Sequence, residues 1–458
     1  LIDDSLAIDK FNFGVLYERY LISNKEEDLQ AFKAIIRGYA HNYNEFSLDY
    51  AMAGQFDDAI SLLKVFTNNN DTVYPMVYYF MGWYFDQNGD TTNALECYKK
   101  ASKMPEDYCF PKDAKAHYYL GNFWYANRQY KEAQNAWEKS LDLDDTFAIT
   151  HRNLSLLYFN KTNQKDLART HLEKAFSLDN KDARLLMELD QFYKKINVSV
   201  NERLELLEKY IDLTNSRDDL YLERVALYNT KGNFQKSAEL MANRQFHPWE
   251  GGEGKVHFQY LTSQVELAKK YINLNNFEKA IECLEQAKIY PHNLGEGKLD
   301  GTQENDINYW LGCAYEGLGD QEKATTYFEL ASEGLSDPSP AIFYNDQQPD
   351  KIFYQGLALL KLNKNKEANI RFENLINYGI EHMNDEVKLD YFAISLPDLL
   401  IWEEDLNDIN KIHCNYLIGL GQLGLNNQHK ASESFSKVNE MDLYHLPAHL
   451  HAQLVLVN

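Results

Sequence analysis

Apolar and polar residues follow one another along this chain with the period of an amphipathic helix, and the helical runs come in pairs. Residues 309–332, YWLGCAYEGLGDQEKATTYFELAS, show the pattern most completely. Leu311, Gly312 and Tyr315 lie on one helical face, Gly319 interrupts the run, and Ala324, Phe328 and Ala331 open a second face. Residues three, four and seven apart share one side of a helix, so this spacing predicts two short helices joined by a tight turn. The same order of small and aromatic positions recurs. It is found at Tyr50, Gly54, Phe56, Ala59 and Leu63, then at Met81, Gly82, Phe85, Ala94, Tyr98 and Ala101. It continues at Leu120, Gly121, Trp124, Ala133 and Trp137, and at Leu154, Tyr158, Ala168, Leu172 and Ala175.

Weaker copies surround Leu189/Tyr193 and Tyr228/Gly232/Phe234. Clearer ones follow at Ala268/Tyr271/Ala280/Ala287, Gly356/Leu362/Ala368/Phe372 and Gly419/Ala431/Phe435, and Phe13, Gly14 and Tyr17 begin a partial one. The spacing L-G-x2-Y … A-x3-F … A resembles the tetratricopeptide repeat (TPR), over nearly the whole chain. What the resemblance implies is an all-α fold, a right-handed α-α superhelix or TPR solenoid. Packing explains the residue types. A Gly or Ala sits where two helix axes approach, an aromatic fills the gap between units, and no single pair can bury its apolar stripe alone.

Marker alanines set the period. Ala59 to Ala94 is 35 residues, Ala94 to Ala133 is 39 and Ala133 to Ala168 is 35. The interval then stretches: from Ser237, the equivalent position, to Ala280 is 43, to Ala324 and to Ala368 44 each, and to Ala431 63. The second half therefore carries long inter-repeat loops. We expect an N-terminal array over residues 1–245 and a C-terminal array over 246–458, one continuous solenoid. An extra packed segment is expected near 376–410, because YFAISLPDLLIWEEDL is too apolar for a plain linker.

Composition narrows the function. The formal net charge is −23, which repels phosphate backbones, and no local basic patch offsets it, so no nucleic-acid partner is expected. No apolar run approaches the ~18–20 residues of a membrane span. Five scattered cysteines (Cys97, Cys109, Cys283, Cys313, Cys414), with no CxxC pair, read as buried thiols and not as a disulfide framework or zinc ribbon. The chain begins at Leu1 and not at methionine, which points to a fragment or processed product. A cytoplasmic location is favoured, with the periplasm as the alternative.

Three stretches imitate nucleotide-binding motifs and fail. HPWEGGEGKV (residues 247–256) and PHNLGEGK (291–298) contain Gly-Lys, but Trp249 and His292 stand where a P-loop needs its first glycine, and Val256 and Leu299 where it needs a hydroxyl. GLGQLG (419–424) matches G-x-G-x-x-G literally yet falls inside a repeat helix, with no βαβ unit around it. Pro248 and Pro291 occupy the same turn of consecutive units, so stacking should set the two loops side by side. Their candidate site residues are His247, Trp249, Glu250, Glu253 and Lys255 from the first loop, and His292, Asn293, Glu296 and Lys298 from the second. The loops either hold each other, through Glu253–Lys298 or Lys255–Glu296 pairs with Trp249 over helix ends, or present a ligand site.

The wording of RQFHPWEGGEGKV, NLGEGK, NDINYWLG, HRNLSLLYFNK and ARLLMELDQFYKK is also similar to the helical C-terminal region of large bacterial proteins of the DUF5107 group. That resemblance implies an upstream β-rich domain linked to carbohydrate.

TPR arrays line a concave groove with the first helix of each unit. Carried onto this sequence, the resemblance places Tyr79, Trp83, Tyr118, Asn122, Tyr125, Arg152, Leu156 and Phe159 there, as a partner-binding groove for a protein, a peptide or the upstream domain. No HExxH, G-x-S-x-G or Cys/His metal spacing is present, so neither a catalytic residue nor a metal or other cofactor is expected. The acidic run WEEDLND (402–408) lacks calcium-loop spacing and reads as a solvated helix start. The preferred reading is a non-enzymatic interaction scaffold. The alternative is an accessory module of a carbohydrate-active protein, with the GEGK loops contributing to a ligand site.

Overall fold

A computed structural model describes residues 1–68, 74–103, 114–249, 251–340, 346–387 and 401–455. Among the described residues the regular structure is helical throughout, and the fold is all-α. The chain forms two compact units, Leu1–Leu178 and Asp179–Asn458. Residue 245, expected as a boundary, lies inside the second unit, because the loop following it is knitted into that unit's packing.

The first unit contains α1 (Ile2–Ile8), α2 (Phe13–Ser23), α3 (Glu26–Ile36), α4 (Ala40–Met52), α5 (Phe56–Thr67), α6 (Pro75–Gln87), α7 (Thr91–Ala101), α8 (Ala114–Ala126), α9 (Tyr130–Leu143), α10 (Ala148–Asn160) and α11 (Lys165–Leu178). From α2 onward the helices associate as consecutive hairpins. The second unit contains α12 (Ala183–Lys195), α13 (Val200–Lys209), α14 (Ile211–Ser216), α15 (Asp218–Thr230), α16 (Phe234–Ala242), α17 (Lys255–Asn273), α18 (Phe277–Ala287), α19 (Asn305–Leu318), α20 (Gln321–Ser332), α21 (Pro349–Lys361), α22 (Asn365–His382), α23 (Leu406–Gly424), α24 (Gln428–Met441) and α25 (Leu446–Val455). Hairpins again form from α15 onward, and the first helix of each touches the first helix of the next.

Several hairpin turns are built the same way. A residue in the left-handed region follows the first helix and the next residue caps the second. Gly319 (φ 79°) precedes Asp320, whose carboxylate accepts the Lys323 N–H at 3.1 Å. Asn275 (φ 56°) precedes Asn276, which accepts from Lys279. Gly and Asn tolerate that backbone, and Asp or Asn satisfies an N–H that the helix leaves open.

One contact recurs through the stack. The marker glycine of a first helix faces the aromatic ring of the second. A Cβ added at Gly82 would lie 2.7 Å from the Tyr98 ring, at Gly312 2.5 Å from Phe328, and at Gly419 2.6 Å from Phe435. Gly121 meets Trp137 and Gly356 meets Phe372 in the same way. The marker alanines Ala59, Ala94, Ala133, Ala168, Ala280, Ala324, Ala368 and Ala431 are all buried, as is Ser237, whose hydroxyl donates to the Val225 carbonyl at 3.0 Å. GLGQLG thus sits inside α23, where its glycines let helices approach: a Cβ at Gly421 would lie 2.5 Å from the Phe372 carbonyl oxygen.

Candidate functional site

Two regions were expected to carry function: the face lined by α6, α8 and α10, and the paired loops of the second unit.

On the first face the eight candidate residues occupy matching positions on three successive first helices. An aromatic chain joins α6 to α8. Tyr79 is buried and its ring centre lies 5.5 Å from that of Tyr119, which lies 5.2 Å from Tyr118, which in turn packs on Phe147 at 5.2 Å. A polar chain joins α8 to α10. Asn122 Oδ1 accepts from Trp137 Nε1 at 3.1 Å and from Asn153 Nδ2 at 3.0 Å, and Arg152 Nη1 donates to Asn153 Oδ1 at 3.3 Å. Tyr125 packs against Tyr130 and Trp137, while Leu156 and Phe159 are half-buried. Most of this set is therefore engaged in holding hairpins together. The rings left open to solvent are Trp83, 40% exposed, and Tyr119, 38% exposed. Tyr119 was absent from the sequence-based set, although it neighbours Tyr118 in the aromatic run.

Beside this face, α10 and α11 bring two histidines together. His151 Nδ1 and His171 Nδ1 stand 2.9 Å apart, so one ring donates a proton to the lone pair of the other. Asp145 accepts from Lys174 at 2.9 Å and from His151 Nε2 at 3.2 Å. These residues and Thr170 line a shallow cavity of about 210 Å³. Burial pushes the His171 imidazole down to about 4, and the neighbouring His151 adds to the effect. Among the described residues no group of three or more His, Cys, Asp or Glu is placed to hold a metal ion.

The two loops of the second unit lie against each other. Phe246 N–H donates to the Asn293 carbonyl at 2.8 Å, and Asn293 Nδ2 returns two bonds, to the carbonyls of Met241 (2.9 Å) and Arg244 (2.8 Å). Glu296 accepts from Gly254 N–H at 3.2 Å and pairs with His257 Nδ1 at 3.3 Å, and His257 Nε2 donates to the Glu296 carbonyl at 3.0 Å. Gly295 (φ 80°) passes so close that a Cβ there would lie 2.7 Å from the Phe246 carbonyl oxygen. The ion pairs differ from expectation: Lys298 binds Glu304 at 2.5 Å and the Lys288 carbonyl at 3.1 Å instead of reaching Glu253. Glu304, six residues on in the same loop, is the nearer carboxylate, and the Lys288 carbonyl at the end of α18 adds a partner that the sequence pattern does not reveal. Trp249 folds over Gly252 within its own loop. His247 and His292 are exposed, and His247 binds Asp218 through both its N–H (2.9 Å) and Nδ1 (3.1 Å). Burial raises the Asp218 carboxyl, but the His247 N–H and the Arg244 guanidinium outweigh it and hold the group below the usual range. Glu250 lies outside the described residues. Lys255 begins α17.

Sequence reasoning missed a cluster in the second unit. Arg203, 0% exposed, binds Asp190 through Nε (2.9 Å) and Nη2 (2.6 Å), and Glu223 through Nη2 (2.9 Å). Lys194 adds a 2.8 Å contact to Glu223. Burial alone would raise the Glu223 carboxyl; Lys194 and Arg203 together reverse that and lower it. Trp402, 1% exposed, packs 4.9 Å from Phe192 and donates to the Glu188 carbonyl at 3.0 Å. The acidic run that follows is a helix start, with Asp405 capping α23, but its tryptophan is core. Residues 388–400, the rest of the expected extra segment, lie outside the described residues, as does Cys109.

Comparison with known proteins places tetratricopeptide repeats at residues 79–146, 261–288 and 306–333. Among solved structures, a tetratricopeptide repeat protein from Parabacteroides merdae ATCC 43184 is 16% identical, covering 61% of this chain and 99% of that one, with a TM-score of 0.33. MamA is 20% identical over 37% of this chain and 95% of its own, with a TM-score of 0.31. YrrB, described as a TPR protein with an unusual peptide-binding site, is 17% identical over 41% and 93%, with a TM-score of 0.30.

Proposed function

We propose that this chain is a non-enzymatic scaffold that holds a protein or peptide partner against the α6–α8–α10 face of its first unit. The observation that carries this reading is the exposure of Trp83 and Tyr119 on helices whose other aromatic residues are used in packing. Large rings left in water on a rigid helical stack are enriched at protein interfaces, where burying one contributes more than any polar contact around it. The surroundings suit an extended segment: Tyr118 and Phe159 offer half-buried ring surface beside the exposed pair. An upstream domain of the same chain could meet this face as well as a separate protein. The GEGK loops give the glycan reading less support, because Asn293, Glu296 and His257 use their polar groups on each other and on nearby carbonyls.

The test is quantitative affinity capture from source cells with wild type and with a Trp83→Ala/Tyr119→Ala variant. Both rings are more than a third exposed, so the variant should keep its helical circular dichroism, with a lower melting temperature because Tyr119 also packs on Tyr79 and Tyr118 and Trp83 on Phe56 and Tyr84. Partner recovery should fall at least about tenfold, as for loss of interface anchors. Undiminished recovery by a folded variant would remove the face from consideration.

A further inference from the structure

Several aromatic rings of the first unit lie under a lysine of the same chain. Lys100 Nζ stands 4.5 Å from the centre of the Tyr78 ring, Lys64 Nζ 5.4 Å from Phe85 and Lys99 Nζ 5.8 Å from Trp124. Trp83 has no such cover. Its ring packs edge-on against Phe56 at 6.4 Å and tilted against Tyr84 at 5.2 Å, and it is 40% exposed. Among the described residues no lysine or arginine stands over it.

Asp86 stands three residues further along α6. Positions three apart share one side of a helix, with Cβ atoms ~5–6 Å from each other, so its carboxylate and the open indole belong to one patch. Asp86 is half-buried, and among the described residues its carboxylate has neither a hydrogen bond nor an ion pair. Burial raises its pKa, and no neighbouring cation offsets the shift. Asp57 adds a second carboxylate close by. It follows Phe56, accepts from Asn88 Nδ2 at 2.6 Å just beyond the end of α6, and pairs with no lysine or arginine among the described residues. An indole face and a partly dehydrated carboxylate without a counter-ion favour the same occupant, a cation. The net charge of −23 adds attraction at longer range.

We propose that Trp83 and Asp86 form a receptor for an arginine side chain of the partner, its guanidinium stacked on the indole and its N–H groups directed to the Asp86 carboxylate. This rests on the reading that the α6–α8–α10 face holds a protein or peptide, and adds the chemistry of what is held there. Arginine suits the pair better than lysine. Its planar group stacks on a ring while donating in its own plane, and it gives up its water more easily than an ammonium. An acidic segment would set like charges together at Asp86, and a purely apolar one would dehydrate that carboxylate further with nothing in return.

Fluorine NMR on the full chain carrying 5-fluorotryptophan tests this, with the Trp83 signal assigned by its loss in Trp83→Phe. Three probes differ in one side chain: an acetylated and amidated Ala-Ala-Arg-Ala-Ala peptide, the same peptide with neutral citrulline for arginine, and the same with glutamate. The arginine peptide should shift the Trp83 signal saturably and bind at least about tenfold more tightly than the citrulline peptide, and the glutamate peptide should leave the signal in place. Asp86→Asn should weaken the arginine peptide by about tenfold and leave the citrulline peptide unchanged. Equal affinity for arginine and citrulline, no saturable shift with arginine, or an Asp86→Asn variant that binds arginine as wild type does would each overturn the receptor. The citrulline comparison is made on wild type, so it decides the matter even if Asp86→Asn does not fold. Affinity capture separates this proposal from the one it rests on. Partner lost with Trp83→Ala/Tyr119→Ala but fully recovered with Asp86→Asn keeps the face and overturns the arginine receptor; undiminished recovery with both removes the face and the receptor together.

Discussion

Glycine positions in the first helices are where single residues matter most. Gly121 is the sharpest case, because the Trp137 ring that covers it is fixed by two bonds from Nε1, to the Tyr118 carbonyl and to Asn122 Oδ1, both 3.1 Å. Alanine gains up to about 1 kcal/mol of helix propensity over glycine, but the added methyl would displace an anchored ring, an overpacking cost of ~1–3 kcal/mol. Gly121→Ala should therefore lower the urea midpoint of the first unit, and a higher midpoint would show that Trp137 moves freely. This layer was legible in the sequence, because the small residue and its ring stand at a constant separation in repeat after repeat. Where the small position is filled otherwise, the signal fades. Ser155 takes the place of glycine in α10, its hydroxyl donating to the Ala168 carbonyl at 2.7 Å, and the pairing of His151 with His171 nearby had no motif to announce it.

At the scale of elements, the paired loops separate what spacing can reveal from what it cannot. The equivalence of Pro248 and Pro291 in consecutive units was enough to expect the loops to be neighbours. It could not identify Asn293 as the residue that fastens them, since its partners are the Met241 and Arg244 carbonyls, invisible to side-chain pattern. Asn293→Ala would leave those carbonyls without their donor in a partly buried turn, a cost of about 1–3 kcal/mol. The exposed His292→Ala should change stability by less than about 0.5 kcal/mol. Thermal melts of the two variants check the contrast; equal effects would mean that the loops are not fastened at Asn293. The bonds of Trp402 to the Glu188 carbonyl, of Asn197 to the Met441 carbonyl and of Tyr444 to the Val198 carbonyl were out of reach for a related reason. Their partners are 214 to 246 residues apart, and a single non-repeated contact leaves no periodic trace.

For the whole molecule, charge and burial combine in a pH dependence. His171 in the first unit and His445 and His451 in the second are pushed down to about 4, in each case mainly by burial. Around His451, Asp350 opposes the shift while Lys269 and Lys351 reinforce it, and the Tyr416 hydroxyl sits 3.2 Å from Nδ1. The unfolded chain takes up these protons near pH 6.5, so it binds more protons than the fold over the interval below that value. Stability is then full above about pH 6.5 and is lost as the pH falls toward 4. Melting temperatures measured from pH 7.5 to 4.5 should fall, and His451→Gln should flatten the fall; a flat wild-type profile would mean that these rings are hydrated in the fold. If the α6–α8–α10 face of the first unit holds a partner, as proposed, Trp83 lies at the contact. A photo-reactive benzoylphenylalanine placed at Trp83, compared with the same group at the exposed Lys99 on α7, measures it directly. Cross-linking to a defined protein or peptide from position 83 and not from position 99 is the result expected. Equal cross-linking from both positions, or capture from position 99 alone, would contradict it.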